Sequence, residues 1–189
     1  MFATYRTSAG ELVTDVGFSF SLGVGNVIEV TFVGRSFTQF GHAFVACSAN
    51  GCGTPGLYGE VTLRNRNATR PDFESVFPIE APAPLQYMLF DGRNGVTTTL
   101  YLVSGSQDST TVAVDVVDSG NRLLRTVNIP FRGTQTKILT LHVIAPETIG
   151  ILGTLVIRSP GSSVPITATG LRINPSNSFT PLRTFVPKP

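Results

Sequence analysis

The 189-residue chain has no tryptophan, two histidines, two cysteines and two lysines, Lys137 and Lys188. Each scarcity excludes something. Tyrosine occurs only at Tyr5, Tyr58, Tyr87 and Tyr101, so few rings can serve as exposed stacking platforms for sugars. His42 and His142 both sit inside apolar, strand-like runs, and the cysteines have no second ligand pair at a suitable spacing. No metal site is therefore expected. Charge is sparse too: 14 basic and 12 acidic residues give a net charge of +2. That field is too weak to suggest nucleic acid as a partner, and Arg64, Arg66 and Arg70 read as one solvated loop. No apolar run approaches the roughly 20 residues of a membrane helix, so no membrane span is expected. The opening MFATYRTSAGELV lacks the charged-then-apolar pattern of a signal peptide. For a secreted protein, the signal is expected outside this chain.

What is abundant points one way. Hydrophobic residues make up 41% of the chain and charged residues 14%, the balance of a folded rather than a disordered protein. Nineteen glycines and thirteen prolines punctuate short runs rich in Val, Ile, Thr, Phe and Leu. This is the signature of many short strands joined by turns. Strands are expected at Val27–Val33, His42–Ala46, Leu85–Leu89, Thr97–Val103, Thr111–Val117, Lys137–Ile144 and Gly153–Arg158. In the first of these Ile28, Val30 and Phe32 share a face opposite Glu29 and Thr31, a period of two that suits a half-buried sheet. No segment carries apolar residues at helical spacing.

The chain also resembles itself. Phe20–Ser48 lies over Phe131–Ser159 without a gap at an offset of 111, with hydrophobic phase and turns matched. Upstream, with a slip of one residue, Thr7–Val13 falls on Val117–Leu123; downstream, Leu63–Arg64 falls on Leu171–Arg172. The expected strands at Leu85–Leu89 and Thr97–Val103 have no counterpart in the earlier copy, which reads as opening on the third strand of a repeat. The expected organisation is an all-β protein of two related antiparallel β-sandwich units. The first, 1–82, is incomplete and lacks its opening strands; the second is 83–189. Pro82-Ala-Pro84 reads as a stiff joint between them.

Few residues suggest chemistry. Asn50-Gly51 is a tight-turn signal that brings Cys47 and Cys52 together across a hairpin tip. A disulfide is the favoured reading, two free thiols the other. Gly105-Ser-Gln-Asp-Ser109 fails the nucleophile-elbow pattern at its last position and has no helix after it. Asp72 and Glu74 would share a strand face, without the cleft a glycosidase pair requires. Asp91-Gly-Arg-Asn-Gly95 and Asp118-Ser-Gly-Asn121 could offer oxygens to Ca²⁺, yet these are ordinary turn residues and read as turns. Lys137, in phase with Leu139 and Leu141, is expected to point toward the core. No catalytic residue and no cofactor are expected.

Four stretches carry a resemblance: RPDFESVFPIE at 70–80, YMLFDGRNGVTTTLYLVSGS at 87–106, VDSGNRLL at 117–124 and GLRINPSNSFTPLRTF at 170–185. Together they resemble the tandem β-sandwich repeats of large secreted proteins of soil bacteria. The chain departs from that pattern in the Cys47–Cys52 insertion and in the missing opening strands of its first unit. The resemblance implies an Ig-like or fibronectin-like extracellular or cell-surface module without assigned catalysis. The expected function is structural or adhesive, with self-association by strand complementation or contact with neighbouring repeats of a longer chain. The alternative is a carbohydrate-binding module for surface glycans, with Tyr58 as its platform.

Overall fold

A computed structural model describes residues 2–7, 12–19, 41–46, 60–67, 70–78, 82–160, 166–176 and 178–187. Val27–Val33, Cys47, Cys52 and Tyr58 lie outside the described residues. The chain divides into two compact units, Met1–Leu57 and Tyr58–Pro189, so the boundary expected near residue 82 falls inside the larger one.

In the smaller unit, β1 (Phe2–Thr7) lies between β2 (Leu12–Ser19) and β3 (Gly41–Ala46), antiparallel to both. The larger unit begins with an antiparallel hairpin of β4 (Glu60–Asn67) and β5 (Arg70–Pro78), in which Glu74 stands in register with Arg64.

A sandwich of eight strands follows: β6 (Leu85–Asp91), β7 (Thr97–Ser104), β8 (Ser109–Asp118), β9 (Leu123–Arg132), β10 (Gln135–Thr140), β11 (Leu152–Arg158), β12 (Ile166–Ile173) and β13 (Phe179–Leu182). One sheet has the order β10-β7-β12-β13 and the other β6-β11-β8-β9, every pair antiparallel. The fold class expected from the strand pattern, an all-β antiparallel sandwich, is the one found. Alternation places one face of each sheet inside. Met88 and Phe90 of β6, Leu100 and Leu102 of β7, Val112, Val114 and Val116 of β8, Leu155 and Ile157 of β11, and Ile166 and Ala168 of β12 form one buried cluster. A core shared by both sheets is what makes them a sandwich.

The expected strand Lys137–Ile144 is corrected. The strand ends at Thr140, and Leu141–Ile144 form one helical turn, α1, followed by a 3-10 turn at Pro146–Thr148. The chain must leave one sheet here to enter β11 in the other, and a continued strand could not make that crossing. Leu141, 1% exposed, anchors the turn in the core. Pro146 opens the 3-10 turn, where its missing N–H costs nothing. Lys137 is not a core residue either: it is half-buried on β10, the edge strand of its sheet.

One side of the sandwich is sealed by side chains rather than by a strand. β13 pairs with β12 only from Gly170 to Ile173, leaving the start of β12 uncovered. There Ala83 donates its N–H to the Ile166 carbonyl at 3.0 Å, so the proline-flanked joint is itself part of the wall. Gln86, fully buried, donates Nε2 to the carbonyls of Ile166 (2.5 Å) and Ala83 (3.1 Å) and accepts the Ala168 N–H at 3.3 Å. Thr184 donates its hydroxyl to the Ala168 carbonyl at 3.3 Å. The tail then forms an antiparallel bridge of two 2.8 Å bonds between Phe185 and Tyr87 on the outer edge of β6. Pro187 has no N–H with which to lengthen that ladder.

Replacing Gln86 by Leu keeps the volume and removes both amide functions. The buried Ala168 N–H then loses its acceptor, which costs on the order of 1–3 kcal/mol. Urea unfolding of Gln86→Leu is expected to show a lower midpoint with an unchanged slope. An unchanged midpoint would mean the amide does not hold the seam.

Candidate functional site

One end of the sandwich combines a concavity with ionisable and polar groups, and it is built by the β6–β7 turn, α1 and the 3-10 turn. The chain reverses at Arg93–Val96, where Val96 donates its N–H to the Arg93 carbonyl at 3.0 Å. The two central residues, Asn94 and Gly95, have φ of 54° and 73°. Positive φ at both positions is the hairpin turn that Asn-Gly favours. Gly92 latches this turn to the opposite wall: its N–H reaches the Ile151 carbonyl and its carbonyl accepts the Gly150 N–H, both at 2.8 Å. A Cβ at Gly92 would lie 2.0 Å from the Thr148 carbonyl oxygen, so only glycine fits this close approach. The result is a half-open cleft of about 300 Å³, whose lining includes Asn94, Thr97, His142 and Ile149.

Asp91 is the electrostatic centre of this end. Its Oδ1 accepts the Arg93 backbone N–H at 3.1 Å and Nε at 2.9 Å; its Oδ2 accepts Arg93 Nη2 at 3.2 Å and Arg172 Nη2 at 3.4 Å. The Arg93 hydrogen bonds, with Arg172 assisting, lower its pKa from 3.8 to about 2. A carboxylate so committed is a poor general base at neutral pH. Across the cleft, Thr97 Oγ1 and His142 Nδ1 are 2.5 Å apart. A hydroxyl beside an imidazole is the first half of an activated nucleophile. The second half is missing among the described residues: no carboxylate is bonded to the other ring nitrogen to orient it.

The second Asp-Gly turn follows the same rules. Asp118 Oδ1 accepts the N–H groups of Gly120 (3.0 Å) and Arg122 (2.9 Å), and Oδ2 accepts Arg122 Nε at 3.1 Å. Asn121 takes the left-handed conformation at φ 64°. These bonds to Arg122 and Gly120 lower the Asp118 pKa. Apart from the Arg172 contact to Asp91, the oxygens of both aspartates are directed at their own turns. Among the described residues, no group of three or more His, Cys, Asp and Glu side chains is gathered as a metal site requires.

Of the residues singled out by sequence, Asp91 and His142 line this cleft, and His142 does so from a helical turn rather than a strand. Asp72 and Glu74 lie on β5, two positions apart. The sequence reading missed the Thr97–His142 contact, which joins residues 45 apart, and Arg172, 81 residues from Asp91. Asp91 in its turn carried a local signal; these two partners carried none. No helix among the described residues is long and apolar enough to cross a membrane. No protein-family model, curated protein or solved structure matches this chain.

Asp91 gives the end a defined acid response. Its folded pKa lies below its unfolded value, so its contribution is present above about pH 4 and is lost as pH falls toward about 2. With Arg93 half-exposed, Asp91→Asn is expected to cost roughly 1 kcal/mol at pH 7. The melting-temperature gap between the two proteins should narrow as pH drops from about 4 to 2. A gap constant over that range would show that the ion pair adds nothing to stability.

Proposed function

We propose that this protein is a non-catalytic structural or adhesion module of a secreted or cell-surface protein, built of two related β-sandwich units and assembling head to tail through strand complementation. One observation carries the reading: the strand pairings of the earlier half recur in the later half. β1 lies between β2 and β3 as β8 lies between β9 and β11, and β4 pairs with β5 as β12 pairs with β13. The starts of β2 and β9, Leu12 and Leu123, are 111 residues apart, as are the starts of β3 and β11, Gly41 and Leu152. For β3 and β11 that is the offset of the ungapped sequence repeat; for β2 and β9 it is one residue more than the slipped alignment upstream. The β1–β2 and β8–β9 hairpins each carry a register shift as well.

Arrays of one repeated supersecondary unit build length and stiffness, and each unit needs its neighbours to bury what it cannot bury alone. The likeness of the turn signatures to tandem repeats of secreted soil-bacterial proteins supports the same reading. So does the commitment of Asp91 and Asp118 to turn architecture.

Light scattering coupled to size-exclusion chromatography, over a wide concentration range and with negative-stain images, tests assembly. The expected result is a mass that rises with concentration and particles that lengthen in one dimension. A strict monomer at every concentration overturns the self-assembly.

A further inference from the structure

The later half manages every sheet edge. β9 carries Pro130, β13 is four residues long and carries Pro181, β10 carries Lys137, and β6 is bridged by Phe185. Such devices keep an edge from pairing with another chain. β3, Gly-His-Ala-Phe-Val-Ala at 41–46, has neither proline nor a lysine or carboxylate. β1 pairs with one side of it, and no described strand pairs with the other. In the later half the corresponding side of β11 holds β6, antiparallel, from Leu85 to Arg158. Neither β6 nor β7 has a counterpart among the described strands of the earlier half.

We propose that the side of β3 with which no described strand pairs is an acceptor slot for one added antiparallel strand of the β6 type, carried by another repeat of the same kind. This rests on the repeat reading above. The donor's chemistry follows from β6: an extended segment whose alternate residues are apolar, as Met88 and Phe90 are, leading into an Asp-Gly turn. The β6 of a second copy is the costlier donor. Met88 and Phe90 are 0% and 1% exposed in their own core, and withdrawing them would forfeit that packing. One position sets specificity. Gly153 stands beside Phe90 in register, where an added Cβ would lie 2.6 Å from the ring. At the 111 offset His42 occupies the place of Gly153. A fitting donor therefore has a smaller residue than Phe opposite His42.

The test extends the full chain with a second copy of Ala83–Asp108 placed ahead of Met1, in three versions: unaltered, with Phe90→Ala in the added copy, and with both Phe90→Ala and Met88→Asp there. Amide hydrogen exchange is read at Gly41–Ala46. Relative to the unextended chain, the Phe90→Ala version should slow exchange by at least about tenfold, more than the unaltered copy, and the version with Met88→Asp should not. Equal exchange in all four proteins, or full protection of β3 without any extension, overturns the slot. If β3 gains no protection while the unextended chain still assembles, the slot is wrong and the assembly reading stands. If β3 is protected by the added copy while the unextended chain stays monomeric, the slot stands and self-assembly falls.

Discussion

The sandwich depends on how two open sheets are joined along a side that no full strand closes. β6 and β12 belong to different sheets, and the start of β12 runs past the end of β13. Its outward backbone groups lie in the protein interior, where an unpaired N–H would cost its full desolvation. Gln86 answers this by behaving as a short piece of strand, donating and accepting with the same amide. That choice fixes the phase of β6. With Gln86 inward, period two puts Met88 and Phe90 inward and Leu89 outward. A slip of one residue would break the amide bridge and expose both large side chains at once. Register and seam enforce one another.

The turn end shows the same economy with charge. The protein spends a nearly buried carboxylate on organising Arg93, Arg172 and the start of a hairpin. Gly92 brings that hairpin within contact of the 3-10 turn, which β9 also holds through the Arg125–Glu147 ion pair. These contacts tie the cleft walls together and engage the Asp91 carboxylate.

Much of this was legible in the sequence, for physical reasons that can be named. β6 and β11 alternate cleanly, because each has one face in the core and one outside, and β7 and β8 stand out by their apolar, β-branched content. β9 was not foreseen: its leucine and proline break the pattern, and as an edge strand it tolerates both Pro130 and the exposed Leu123. β12 hid behind Gly170, whose place a larger residue could not take because Met88 Sδ lies 2.5 Å from where its Cβ would be. The strand expected through Ile144 failed because apolar alternation does not encode where a chain must change sheets. At the cleft, the Asp-Gly and Asn-Gly turns announced themselves locally. Arg172 and the Thr97–His142 contact depend on the fold and left no trace in spacing.

The two halves differ most where they should be most alike. If both descend from one pattern, the later half shows what a complete unit requires: β11 flanked on both sides, β12 flanked on both sides, and every remaining edge blunted. In the earlier half the pairings that recur are those that need neither β6 nor β7. A strand added to β3 would supply backbone hydrogen bonds of the kind that give affinity in strand addition, while the alternating side chains would give selectivity. Exchange of β6 between copies would disrupt one core to extend another sheet. Addition of a strand from a further repeat creates a net gain in pairs without that loss. β3 has neither proline nor a lysine or carboxylate to oppose such an addition.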